Sequence, residues 1–157
     1  MATETGHEVG TVAETLDWRA GAVAGGVGAL VMAALIVAMN APVIAVAIPS
    51  LYTLAPPPSV PVGLVVHVFH GAVLGVAFAW IAGALSVDGT GELLGLGVAW
   101  GVVTWLVLAA VVMPVWLGAV GSPASPPLPN FALPSLLWHV VYGLVLGGTF
   151  VWIGSRR

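Results

Sequence analysis

From Ala20 to Val87, and again from Leu93 to Ser155, the chain carries no Asp, Glu, Lys or Arg. Each run is far longer than the roughly 20 residues that one helix needs to span a bilayer, so each is expected to cross, turn and return. Prolines divide the runs: Pro42, Pro49, Pro56, Pro57, Pro58 and Pro61 in the first, Pro123, Pro126, Pro127, Pro129 and Pro134 in the second. Proline has no N–H to give and its ring clashes with the preceding turn, so helices are expected to stop at these clusters and restart after them. The pattern predicts four helices, over about 19–40, 60–85, 91–117 and 134–154. Asp88 and Glu92 fall in the tight turn between the second and third, where they are expected to cap the third helix and complement its positive dipole end. The connections 41–59 and 118–133 are apolar and rich in proline, unlike solvated loops. They are expected to lie on the membrane surface or to dip back into the bundle. Val43 to Leu54 is apolar enough for a short re-entrant element, which requires a backbone buried in protein.

Shifted by 72 residues, the chain overlays itself: His67 to Ile81 matches His139 to Ile153 with nine of fifteen positions identical. The same ungapped shift pairs Gly25 with Gly97 and Pro42 with Pro114. This predicts an all-α membrane protein of four transmembrane helices, arranged as two tandem two-helix repeats over residues 19–87 and 88–157 behind a tail of residues 1–18. Copies that contain two crossings each enter the membrane in the same direction, so the expected symmetry is a pseudo-twofold axis along the membrane normal, with helices 2 and 4 beside it. Small-xxx-small pairs occur on every helix, at Gly21/Gly25, Gly71/Gly75, Gly97/Gly101 and Gly143/Gly147. Such pairs let backbones approach closely, and the equivalence of Gly71/Gly75 with Gly143/Gly147 predicts a tight contact between helices 2 and 4.

Composition agrees with the pattern, since 60% of the 157 residues are hydrophobic and 6% charged, where a soluble domain carries about a quarter charged. The net charge of −3 and the lack of any basic run exclude nucleic acid as a partner. No cysteine is present, which excludes disulfides, thiolate metal sites and cysteine nucleophiles. Lysine is absent too, and with an acidic tail this suggests a salt-rich cytoplasm. The first 17 residues carry acids and no basic stretch ahead of an apolar run, unlike a secretory signal. Arg19 precedes helix 1 and Arg156 and Arg157 follow helix 4, so the positive-inside bias predicts a multi-pass cell-membrane protein with both termini cytoplasmic. Trp18, Trp80 and Trp152 are expected near the inner boundary and Trp116 and Trp138 near the outer one, as interfacial belts. Trp100 and Trp105 are expected to pack deeper.

The candidate chemistry lies in a few intramembrane polar groups: His67 and His70 on helix 2, His139 and Tyr142 on helix 4, and Asn40 and Thr104 elsewhere. His67 and His139 start about seven and five residues into their helices, roughly 8–10 Å below the outer boundary at 1.5 Å per residue. His70 and Tyr142 follow them by three residues on the same faces, so three imidazoles and a phenol are expected to gather. Three readings remain open. Neutral histidines hydrogen-bond across helices and lock the repeats together; His67, His70 and His139 ligate a metal, or two of them a haem b; or the histidines form a proton or solute path near the outer face. Haem is disfavoured because its propionates need cations and every arginine lies at the other side. No cofactor is the leading expectation. Motifs for nucleotide binding, zinc proteolysis and nucleophilic hydrolysis are all missing, so no catalytic residue and no enzyme is expected.

A glycine-rich helix ending near Met and Pro, followed by a His-x-x-His/Tyr-Gly-x-x-x-Gly helix, occurs twice in the chain. With Val112-Met113-Pro114-Val115-Trp116-Leu117-Gly118 and Pro126-Pro127-Leu128-Pro129-Asn130-Phe131, this resembles a family of small four-helix membrane proteins of unknown function from haloarchaea and bacteria, some of which carry an automatic "histidine kinase" label. The resemblance covers residues 19–154 and implies the four-helix fold and a halophilic source. The residues oppose a kinase, because no ATP-binding domain follows and the histidines lie within the membrane. The expected role is a structural or accessory component, joining copies of itself or a larger membrane complex through glycine faces and aromatic edges. The alternative is a small metal- or haem-binding redox or transport protein using His67, His70 and His139.

Overall fold

The computed structural model describes residues 17–156; the expected tail and the last arginine lie outside them. Four helices are each long and apolar enough to cross a membrane: α1 (Trp18–Ser50), α2 (Val60–Ala84), α3 (Thr90–Ala119) and α4 (Leu133–Gly154). Asp17 opens α1, its side chain accepting a hydrogen bond from the Ala20 N–H at 2.9 Å, and Ser59 opens α2 in the same way through the Val62 N–H at 3.4 Å. These side chains satisfy donors that a helix N-terminus leaves unpaired. The third helix departs from expectation: its N-cap is Gly89 with no side-chain cap, so Asp88 does not cap it, while Glu92 does lie in its first turn.

Three helices end within two residues of the predicted bounds, but α1 runs on through Pro42 and Pro49. It kinks at Asn40 (φ −158°, ψ 68°), then continues through a π-helical stretch, Val43–Ala47, and a last turn, Ile48–Ser50. Another π stretch, Trp105–Val112, precedes Pro114 in α3. A proline leaves the carbonyl four residues earlier without its helical donor, and here the connections supply one. Ser59 N–H donates to Ala45 O at 2.8 Å, opposite Pro49, and Asn130 N–H donates to Ala110 O at 2.9 Å, opposite Pro114. Local π adjustment and such outside donors are what make proline tolerable in an apolar helix. The segment after Asn40 packs its buried Ile44 against α2, where a Cβ on Gly63 would run into the Ile44 carbonyl oxygen.

The glycine pairs do make the close helix contacts, but between chain neighbours. A Cβ on Gly21 would lie 2.5 Å from Gly75 O, and one on Gly25 would strike Gly71 O, so α1 locks to α2. A Cβ on Gly97 would strike Gly143 O, and one on Gly101 would strike His139 O, so α3 locks to α4; Gly147 faces Leu93 O across the same seam. This corrects the expected seam between α2 and α4, because small-residue spacing marks a face for close packing without naming its partner. Those two helices meet instead through larger groups: the Tyr142 hydroxyl donates to Gly71 O at 3.0 Å, and Phe78 and Phe150 stand edge to face, centroids 5.6 Å apart.

The two pairs join along α1 and α4, whereas α2 and α3 share little beyond the turn between them. An exact twofold would make those contacts equal. The difference has a local cause: Gly28 of α1 admits the Tyr142 ring to within 3.0 Å of where its Cβ would sit, and 72 residues on the place of Gly28 is taken by Trp100. The bundle is therefore open between α2 and α3. Among the tryptophans, Trp18, Trp80, Trp116 and Trp152 are exposed, but Trp138 is buried in the core. It is not a belt residue, since its indole faces inward and donates to Met39 Sδ at 3.1 Å.

Candidate functional site

Beyond the glycine seams, at the end away from the chain termini, the helices part around a cavity of about 870 Å³. Its walls come from α1 on both sides of Asn40, the first half of α2, the π stretch of α3, the connection before α4 and the first turns of α4. Both π stretches contribute, through Val43 and Ala47 on one side and Leu108, Ala109 and Val112 on the other. A π turn pushes one extra residue into the helix circumference and displaces its neighbours, which is why such turns recur at functional sites. The cavity walls on α2 and α3, where the bundle is open, include the exposed Val73 and Val112.

A few polar groups interrupt this apolar lining, among them the three expected histidines, His67, His70 and His139. His67 is buried and its Nε2 has no hydrogen-bond partner. His70 Nε2 bonds the Tyr52 hydroxyl at 2.8 Å, with the rings 5.6 Å apart. His139 Nδ1 bonds the Ser135 carbonyl oxygen at 2.7 Å. A carbonyl only accepts, so Nδ1 carries the proton and Nε2 of a neutral His139 is left with an acceptor lone pair. Asn40 and Ser135 also line the cavity. An uncharged apolar chamber with a few convergent hydrogen-bonding groups is the usual form of a small-molecule site.

Tyr142, expected as the fourth member, is elsewhere: its hydroxyl is committed to Gly71 O inside the bundle, and Tyr52 from the connection after α1 takes its place beside the imidazoles. Nothing in helix periodicity places Tyr52 there; the one available signal is a phenol in an otherwise apolar, proline-rich connection. Thr104 also has an inward role, its hydroxyl donating back to the Trp100 and Gly101 carbonyls at 2.9 and 3.0 Å, a habit of Thr in apolar helices. Among the described residues no three His, Asp or Glu side chains stand close enough to hold a metal ion together, so His67, His70 and His139 share a cavity without forming a three-ligand centre.

No curated protein matches the chain, and no solved structure does. The match that does exist covers the whole described bundle: residues 16–157 fit the profile of DUF6789, a family of unknown function, and the chain belongs to that family.

Proposed function

We propose that this chain is a multi-pass membrane protein that binds a small, largely apolar molecule in the cavity between its helix pairs, admitted sideways from the bilayer between α2 and α3. The cavity carries this reading: about 870 Å³, apolar walls, and imidazoles with unpaired nitrogens. A half-open apolar cavity with imidazoles on its wall offers an apolar molecule both packing and a hydrogen-bonding partner.

The membrane placement draws support from the outward surface, where Val23, Leu30, Val65, Phe69, Val103 and Val111 are exposed. Arg19 stacks over Trp18 at 5.4 Å and Arg156 over Trp152 at 3.9 Å, an arrangement suited to an interface with both termini on the cytoplasmic side. The tandem-repeat reading is supported by glycine contacts that recur at the 72-residue shift, Gly25 on Gly71 and Gly97 on Gly143. Within a larger assembly the protein acts as an accessory that holds or hands over its ligand, and no catalytic step is assigned to it.

The test is to fill the cavity. Ala109→Phe places a ring into it from the α3 wall. Native mass spectrometry of protein released from membranes should show a retained small molecule on the wild type and its loss from the variant, at unchanged helix content. An identical complement on both, or none on the wild type, refutes the reading.

A further inference from the structure

The polar groups on the cavity wall restrict what its occupant presents. Three ways of carrying a head group are available to an apolar membrane molecule: as an anion, as an acceptor such as an ester or ether, or as a hydroxyl. An anion has no counter-charge here, since Arg19, Arg156 and Arg157 are the only cations of the chain besides histidine, and the described two stack on tryptophans outside the cavity, at the helix ends near the termini. Carrying an unpaired charge into such a chamber is costly. An ether or ester oxygen only accepts: it can take a hydrogen bond from the Asn40 amide on the wall, but none from His139 Nε2, which with Nδ1 held to Ser135 O only accepts as well. Two acceptors facing each other cannot bond.

A hydroxyl resolves both difficulties. It is neutral, it donates one hydrogen bond, and its lone pairs remain free to accept another. We infer that the cavity selects a neutral membrane alcohol, an apolar chain carrying a hydroxyl that donates to His139 Nε2. This rests on the cavity reading above and adds the class of ligand to it. Two features agree with it. The Asn40 side chain lines the same cavity, and its amide can donate to the lone pair that a hydroxyl keeps free. The neighbouring His70 is already paired with Tyr52, which leaves His139 as the cavity imidazole whose Nε2 lone pair is free to accept.

Three photoreactive probes with one chain and different heads separate the possibilities: a long-chain alcohol, its methyl ether and the corresponding carboxylate. Each is added to detergent-purified wild type, Ala109→Phe and His139→Leu, and labelling is read by intact mass and peptide mapping. The alcohol should label cavity residues of the wild type about tenfold more than the ether, the loss expected for one hydrogen bond in an apolar site, and more than the carboxylate. His139→Leu should bring alcohol and ether level. Equal labelling by alcohol and ether in the wild type, which requires no variant to fold, overturns head-group selection while leaving the cavity as a binding site. Preference for the carboxylate also overturns it. Labelling by all three probes that is undiminished in Ala109→Phe overturns the cavity reading itself.

Discussion

Around Gly25 and Gly97 the helices touch backbone to backbone, whereas beyond Asn40 the same helices part around about 870 Å³ of space. Both regions are built from Ala, Val, Leu and Ile, so apolarity alone does not separate them. The difference lies in what punctuates the helices. Glycine removes the side chain and lets two helix axes close up until carbonyl oxygens limit the approach. Proline removes a backbone donor, so the helix widens or kinks and its orphaned carbonyls turn to outside donors, as Ala45 and Ala110 do toward Ser59 and Asn130. One region gains rigidity from the absence of Cβ atoms, and the other gains room from the absence of N–H groups.

The largest effect should come from closing off the tight region. Gly25→Leu forces a branched side chain into Gly71 O and should cost about 3 kcal/mol, the upper part of the range for overpacking, read as a fall in thermal midpoint and loss of the monodisperse peak in detergent. Gly97→Leu, its counterpart at the 72-residue shift, should cost a similar amount against Gly143 O; a tolerated substitution at either seam would break the contrast. Next in size is Tyr142→Phe, which leaves Gly71 O without the phenol that joins the two helix pairs and should lose about 1 kcal/mol by denaturant titration. The smallest effect is expected at the open region. His67→Leu removes an enclosed Nε2 that has no partner together with the hydrogen bond of the ring to the Ala29 backbone, so the two effects largely offset and stability should change by about 0.5 kcal/mol or less. A large loss there would mean that His67 Nε2 has a partner in the folded protein.

Much of this architecture is readable from the chain. Two charge-free runs split by proline give four helices long and apolar enough to cross a membrane, and α2, α3 and α4 begin and end close to where the pattern puts them. Pro42 and Pro49 mislead because the donor that rescues Ala45 O comes from Ser59, a tertiary partner that no local rule reveals. The glycines were readable as contact points but not as pairs, because α1 and α3 carry the same spacing as α2 and α4. For the site, His67, His70 and His139, grouped by helix depth in the sequence, line one cavity. Helical position could not foresee that Tyr142 turns to Gly71 O while Tyr52 arrives from a connection, nor that Trp138 buries its indole on Met39. Those outcomes depend on which helix lies beside α4, and the choice rests on Gly28 being small where Trp100 is large.

Each seam joins helices that are adjacent in the chain, and this bears on how the protein is made. A hairpin whose closing contacts are all local needs nothing synthesised later in order to form. The α1–α2 pair can thus shut as its second helix leaves the ribosome, with α3–α4 following as an independent event. The chamber takes its walls from both hairpins, so it exists only once they have docked through Gly28 and Tyr142.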